Sequence, residues 1–171
     1  MSMETEIQNL MDQGVLKFWP PTMVSSGAKR DVFLTNDVYD FVLFQNGVDA
    51  SFEAASGRAL AKIDTFASGK TVVLGLDPMA KSPATLVARN APIHKGVVDL
   101  RVTARKPDAR IFGCFAKCDV LVLLTWAPKT GLHYAREVSR CRSIWDTMFP
   151  TTVPHYGSKH EHYLSSNVLA G

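Results

Sequence analysis

The stretch DARIFGCFAKCDVLVLLTWAPKTG, residues 108–131, packs two apolar runs around a short polar turn and stops at Pro-Lys-Thr-Gly. Runs of this length rich in Val, Leu, Ile and Phe read as strands, so 109–115 and 119–126 form a predicted hairpin linked by Ala116, Lys117 and Cys118. Cys114 and Cys118 invite a metal reading, since thiolates are strong zinc ligands. Their spacing straddles the hairpin, however, and the third thiol, Cys141, lies on the apolar stripe of a predicted helix. Buried free cysteine packs as a small hydrophobe, and the three are assigned to the core.

Working outward, GVVDLRVTA (96–104) alternates as a strand, and Lys-Pro-Asp at 106–108 turns the chain into the hairpin. After it, HYAREVSRCRSIWDTM (133–148) predicts a helix with Tyr134, Val138, Cys141 and Trp145 on one stripe. Upstream, DVFLT (31–35) reads as a strand. Asn36 then caps a helix through Val38, Phe41, Val42 and Leu43, and a longer helix follows before Gly69. Residues 70–90 read as loop-rich. Residues 1–30 are expected to form an extension of one helix and a connector, 31–147 the α+β domain, and 148–171 a tail.

Several classes are excluded. VLVLL (120–124) is too short to span a membrane, and MSMETEIQNLMDQ lacks the basic start and apolar segment of a secretory signal. An odd count of three cysteines suits reduced thiols in a cytoplasmic protein. His155, His160 and His162 could chelate a metal, but no thiol lies near and an exposed polar tail is the simpler reading, so no metal or other cofactor is expected. No phosphate-binding glycine loop or nucleophile elbow occurs. A nuclease core of the Pro-Asp…Lys type fails because Ala127 stands where a carboxylate is needed before Lys129.

Charge is uneven along the chain. Residues 94–142 hold ten of the 19 Lys and Arg but four of the 16 acids, a net +6, which leaves −3 for the remainder. Such polarity points to an anionic partner, nucleic acid first. Arg101 and Arg110 flank a turn, Lys129 follows the next strand, and His133 and Tyr134 open the helix. Cleaving a ribose-phosphate backbone needs a base for the 2′-hydroxyl, an acid for the leaving oxygen and cations for the transition-state charge. Arg110, Lys129, Tyr134 and His133 are the candidate catalytic residues; Arg101, Arg105, Lys106, Arg136 and Arg140 are the candidate RNA contacts.

The order Asp-Leu-Arg (99–101), turn, DARIF (108–112), the strand DVLVLLTW, PKTG and the helix HYAREV resembles the RelE/HigB-like toxin superfamily of bacterial toxin-antitoxin systems. The resemblance implies an α+β fold: a small antiparallel sheet, N-terminal helices packed on one side, and a further helix after the last strand. It also implies metal-independent, ribosome-associated cleavage of mRNA by a cytoplasmic endoribonuclease that an antitoxin neutralises. On this pattern Arg101, Arg110 and Lys129 would meet phosphate charge, and Tyr134 or His133 would serve as acid or base. Three departures are plain: Thr130 replaces a second basic residue, the chain is longer than a compact toxin, and its net charge is lower than usual. The alternative is a non-catalytic protein-interaction module on the same fold.

Overall fold

The hairpin of β6 (Ala109–Lys117) and β7 (Val120–Pro128) sits in the middle of an eight-stranded sheet in a computed structural model that describes residues 1–23, 30–78, 82–103 and 106–171. The other strands are β1 (Leu16–Phe18), β2 (Asp31–Thr35), β3 (Val72–Gly75), β4 (Thr85–Arg89), β5 (Val97–Val102) and β8 (Val168–Ala170). Their order across the sheet is β1-β2-β7-β6-β5-β4-β3-β8. Pairing is antiparallel at β1–β2, β7–β6, β6–β5 and β5–β4, and parallel at β2–β7, β4–β3 and β3–β8.

Among the described residues, four α-helices cover this sheet on both sides: α1 (Met3–Asp12), α2 (Asn36–Val42), α3 (Glu53–Ala67) and α4 (Tyr134–Met148). Side chains along β7 alternate between two cores. Leu121 and Leu123 join Phe41 of α2 and Ala59, Ile63 and Phe66 of α3, whereas Val120, Val122 and Leu124 join Ile7 of α1 and Val138, Cys141 and Trp145 of α4. Each large apolar side chain so buried contributes about 2 kcal/mol.

The expected small antiparallel sheet, with N-terminal helices packed on one side, is therefore corrected to a mixed eight-stranded sheet between two helical layers. The cause lies in the quoted stretch itself. Every residue from Ala109 to Ala116 and from Val120 to Thr125 is buried. A strand covered on one face alternates apolar with polar, whereas an unbroken apolar run demands cover on both.

The chain ends are built into the sheet. Residues 1–30 supply α1 and β1, and the last 24 supply β8 with the buried Tyr163 and Leu164. Within 70–90, whose TVVLGL reads as a short strand, β3 forms at Val72–Gly75, while the loop-rich reading misses β4. The cap of α2 is Thr35 rather than Asn36, its hydroxyl accepting from the Val38 amide at 3.4 Å. At the bulge in β6, Gly113 is required by close approach, since a Cβ there would strike the carbonyl of Val122.

Two buried charges fasten the periphery. Arg30, 4% exposed, donates through Nη1 to the carbonyls of Phe66 (3.3 Å) and Lys70 (2.7 Å), and through Nη2 to those of Ser166 (2.8 Å) and Asn167 (3.0 Å). It thereby ties the end of α3 to the segment entering β8. Glu6 of α1 accepts from the hydroxyls of Thr151 (2.8 Å) and Thr152 (2.7 Å) beyond α4. The Thr152 bond chiefly, opposed by burial, holds its carboxyl below the usual range.

Replacing Arg30 with Met should cost about 3 kcal/mol in denaturant unfolding, because four carbonyls lose a charged donor. Lysine, lacking the two-armed fork, should recover less than half; a loss under about 1 kcal/mol for Met would refute this account. Glu6→Gln should cost about 1–2 kcal/mol at pH 7. The folded-state pKa of Glu6 lies below the unfolded one, so this contribution is complete above the ordinary carboxylate range and fades as pH falls through the depressed value. The gap between wild type and variant should accordingly narrow between pH 5 and pH 2.5 in parallel unfolding curves (about one unit either side of the ordinary carboxylate pKa).

Candidate anion-binding cleft

At the end of the sheet opposite the β6–β7 turn, β5 finishes, β6 and β4 begin and β7 runs out, and α3 lies beside these strand ends. A cleft of about 540 Å³ opens there, lined among the described residues by Arg58 and Lys62 of α3, Pro83, Thr85 of β4, Arg101 of β5, Thr103, Arg110 of β6 and Lys129. Five cations share one concavity. No carboxylate and no aromatic ring stands among those lining residues.

Strand register brings the arginines together. Arg101 lies directly across from Arg110 in the β5–β6 ladder, and like charges so placed are destabilising. Arg101 donates through Nη1 to the Ser82 carbonyl at 3.0 Å. Arg110 is 1% exposed; its Nη1 donates to the Ala109 carbonyl at 3.0 Å, while its Nε has no hydrogen-bond partner. The Asp99 carboxylate approaches that Nε only to 3.8 Å, and its other oxygen accepts from Asn90 at 2.9 Å. Arg110 is thus a buried cation that lines the cleft and is loosely paired with Asp99.

Arg58 and Lys62 sit one turn apart on α3, again like charges at a repulsive spacing. Partial burial first, and then the fields of Arg58, Arg101 and Arg110, pull the Lys62 pKa below the ordinary lysine value. The cluster therefore costs the folded state something whenever Lys62 is charged.

Of the residues singled out from sequence, Arg101, Arg110 and Lys129 meet in this cleft. Lys106 lies on its shoulder, in a smaller pocket of about 220 Å³ with Asp108, Lys129 and Thr130. Arg105 falls outside the described residues. His133 and Tyr134 do not line the cleft: the His133 ring nitrogen caps α4 by accepting from the Arg136 amide at 3.3 Å, and Tyr134 sets its ring edge-on to Phe112. Arg136 and Arg140 ride on α4, where Arg140 pairs with Glu137 at 3.2 Å. Sequence reading missed Arg58 and Lys62, which lie outside the basic segment; their one signal is the i, i+4 repetition of like charge in GRALAK.

The thiols and histidines gather no site. Cys114 and Cys141 are buried between β6 and α4, where burial and the neighbouring thiol push the Cys114 pKa well up. His155 meets the His162 carbonyl at 2.6 Å, and His162 accepts from the amides of Ser158 and Lys159. No group of three or more metal-binding side chains occurs among the described residues. Nor is any helix there long and apolar enough to cross a membrane.

Set against known proteins, the chain matches no family model, no curated protein and no solved structure. Its chemistry has to be read from the cleft.

In the free protein, Lys62 should lose its proton below the ordinary value of about 10.4, and Arg101→Ala should move that titration back up, as followed by NMR of the lysine Cε groups. Lys62→Met should raise the melting temperature by on the order of 2–4 °C near pH 7. The advantage should close as pH rises from the depressed value towards 10.4, since wild-type Lys62 is then neutral in both states. An unshifted lysine, or a Met variant that melts lower, would remove the repulsion argument.

Proposed function

We propose that this protein binds RNA and grips its phosphates in the cationic cleft. The observation that carries the reading is the convergence of Arg58, Lys62, Arg101, Arg110 and Lys129 on one concavity whose described lining holds no acid. Arginine forks and ammonium groups give charge-assisted bonds to phosphate oxygens, and Thr85 and Thr103 add hydroxyl donors. A solvated charged surface has acids interspersed, as on α4, where Arg140 meets Glu137 and Arg142 meets Asp146.

Cleavage asks more of the site than binding does. In the RelE/HigB-like reading, Arg101, Arg110 and Lys129 would offset the charge that develops on the phosphorus oxygens, and an antitoxin would block the cleft. Proton transfer would fall to a group near the attacked ribose, and Tyr134 and His133 are not among the lining residues. Lys62, whose charged form is disfavoured in the cleft, is the lining group best suited to accept a proton. Phosphate binding therefore rests on the cleft. Ribosome-associated mRNA cleavage is its finer form and rests on the strand motifs, within a sheet larger than that family's.

Binding is tested with a fluorescent RNA octamer. Arg101→Ala and Lys129→Ala should each weaken it roughly tenfold and lower the slope of log affinity against log salt by about 0.7 for each phosphate no longer neutralised. Arg136→Ala, Tyr134→Phe and His133→Ala should leave binding within about twofold. Cleavage is tested by induced expression in bacteria, where growth arrest with cut messenger should disappear in Lys62→Met and Lys129→Ala. Absence of RNA binding by the wild type would overturn the proposal, and normal growth with intact messenger would remove its finer form.

A further inference from the structure

The five cations do not lie along a track. They come from three strand ends and two successive turns of one helix, and they surround a single volume of about 540 Å³. The cube root of that volume is about 8 Å, so the strand of an RNA passing through would leave only one or two of its phosphates inside, each with a single charge. Such an occupant leaves most of the positive charge unmatched. Proteins that follow a single strand also stack its bases on aromatic rings. Here the described lining beyond the cations is Pro83, Thr85 and Thr103, which provides no such platform. The cleft is built to contact phosphate oxygens and little else.

We infer that its ligand is a polyphosphate chain, of the kind carried at the 5′ end of a primary transcript, rather than an internal run of phosphodiesters. A triphosphate ester carries about four negative charges on three adjacent phosphorus atoms, and this density suits five cations facing one another across a small space. Arg110, buried at the wall of the cleft with Asp99 3.8 Å from its Nε, sets a fixed charge at the base of the cluster. Arg58 and Lys129, both exposed, stand where they can close on the outer phosphates. Lys62, held among arginines, regains a counter-charge when the chain enters. The inference rests on the reading of the cleft as a phosphate site and states which phosphates of an RNA it takes.

The experiment compares four ligands by calorimetry and competition at fixed ionic strength, in EDTA so that no divalent cation masks the phosphates. They are inorganic tripolyphosphate, ATP, an RNA octamer with a 5′-triphosphate, and the same octamer with a 5′-hydroxyl. The triphosphate octamer should bind at least tenfold more tightly than the hydroxyl one, and tripolyphosphate should displace it. Arg58→Ala and Lys129→Ala, both surface changes that spare the core, should each weaken tripolyphosphate roughly tenfold. Arg140→Ala on α4 should not, which separates the cleft from general attraction to basic surface. ATP binding as well as the triphosphate octamer would support the inference with free nucleotide as a sufficient source. An octamer at least tenfold tighter than ATP would support it with the RNA end as the source. Equal binding of the two octamers without displacement by tripolyphosphate would overturn the inference and leave RNA binding standing. Failure of all four ligands to bind would overturn both.

Discussion

Burial of the β6–β7 hairpin on both faces is the constraint from which the rest of the architecture follows. With every position from Ala109 to Ala116 and from Val120 to Thr125 out of solvent, neither face of the central strands can be left to water. One helical layer cannot meet that demand. The chain supplies α2 and α3 from between β2 and β3 for one side, and α1 from before β1 and α4 from between β7 and β8 for the other. The segments flanking the central domain are thus drawn into the fold by the hydrophobicity of strands far from them in sequence.

The two ends of that hairpin carry different loads. At the turn, Asp119 adopts a left-handed backbone (φ 65°) and becomes a junction. Its carbonyl accepts from the Asp31 amide at the start of β2, its amide donates to the Tyr163 carbonyl, and its carboxylate accepts from the amide and hydroxyl of Ser165. Together with Arg30 it fastens the last residues beside β3. At the open end the Lys129 amide donates to the Asp108 carbonyl and Arg101 Nη1 to the Ser82 carbonyl. The strand termini there present cations around a space, and the rigid sheet behind them fixes where those charges point.

Much of the middle of the chain was legible because its signals are local. The apolar run in DVFLT, the alternation in VVDLRV, the unbroken runs of β6 and β7, and the stripe of Val138, Cys141 and Trp145 each correspond to an observed element. What the sequence hid was the partner of each surface. VLVLL announces two-sided burial, but the helices that cover one of its faces, α1 and α4, lie more than 100 residues apart. The short strands β3 and β8 have four and three residues and are held by parallel pairing, β8 far from its partner in sequence, so no hairpin signal marks them. Three cations of the candidate site could be found in one basic segment. Arg58 and Lys62 could not, because a helix between β2 and β3 delivers them from the acidic half of the chain.

Clustered positive charge alone separates poorly from an ordinary solvated surface, and it is the bookkeeping of counter-charges that distinguishes the two places where this protein gathers arginine. On α4, Arg140 and Arg142 each have an acid three or four residues away and can be satisfied without any ligand. In the cleft, Arg101 faces Arg110 across a ladder, Arg58 and Lys62 repeat the same sign one turn apart, and Lys62 is disfavoured in its charged form by its surroundings. Each arrangement lowers the stability of the empty protein, and Met or Gln at these positions would fill similar space without repulsion. The carboxylate of Asp99, at 3.8 Å from Arg110, and the carbonyls of Ser82 and Ala109, which accept from Arg101 and Arg110, offset only part of this conflict. Charge held against folding stability is the mark of a site kept for a ligand, and the ligand that relieves this one is an anion.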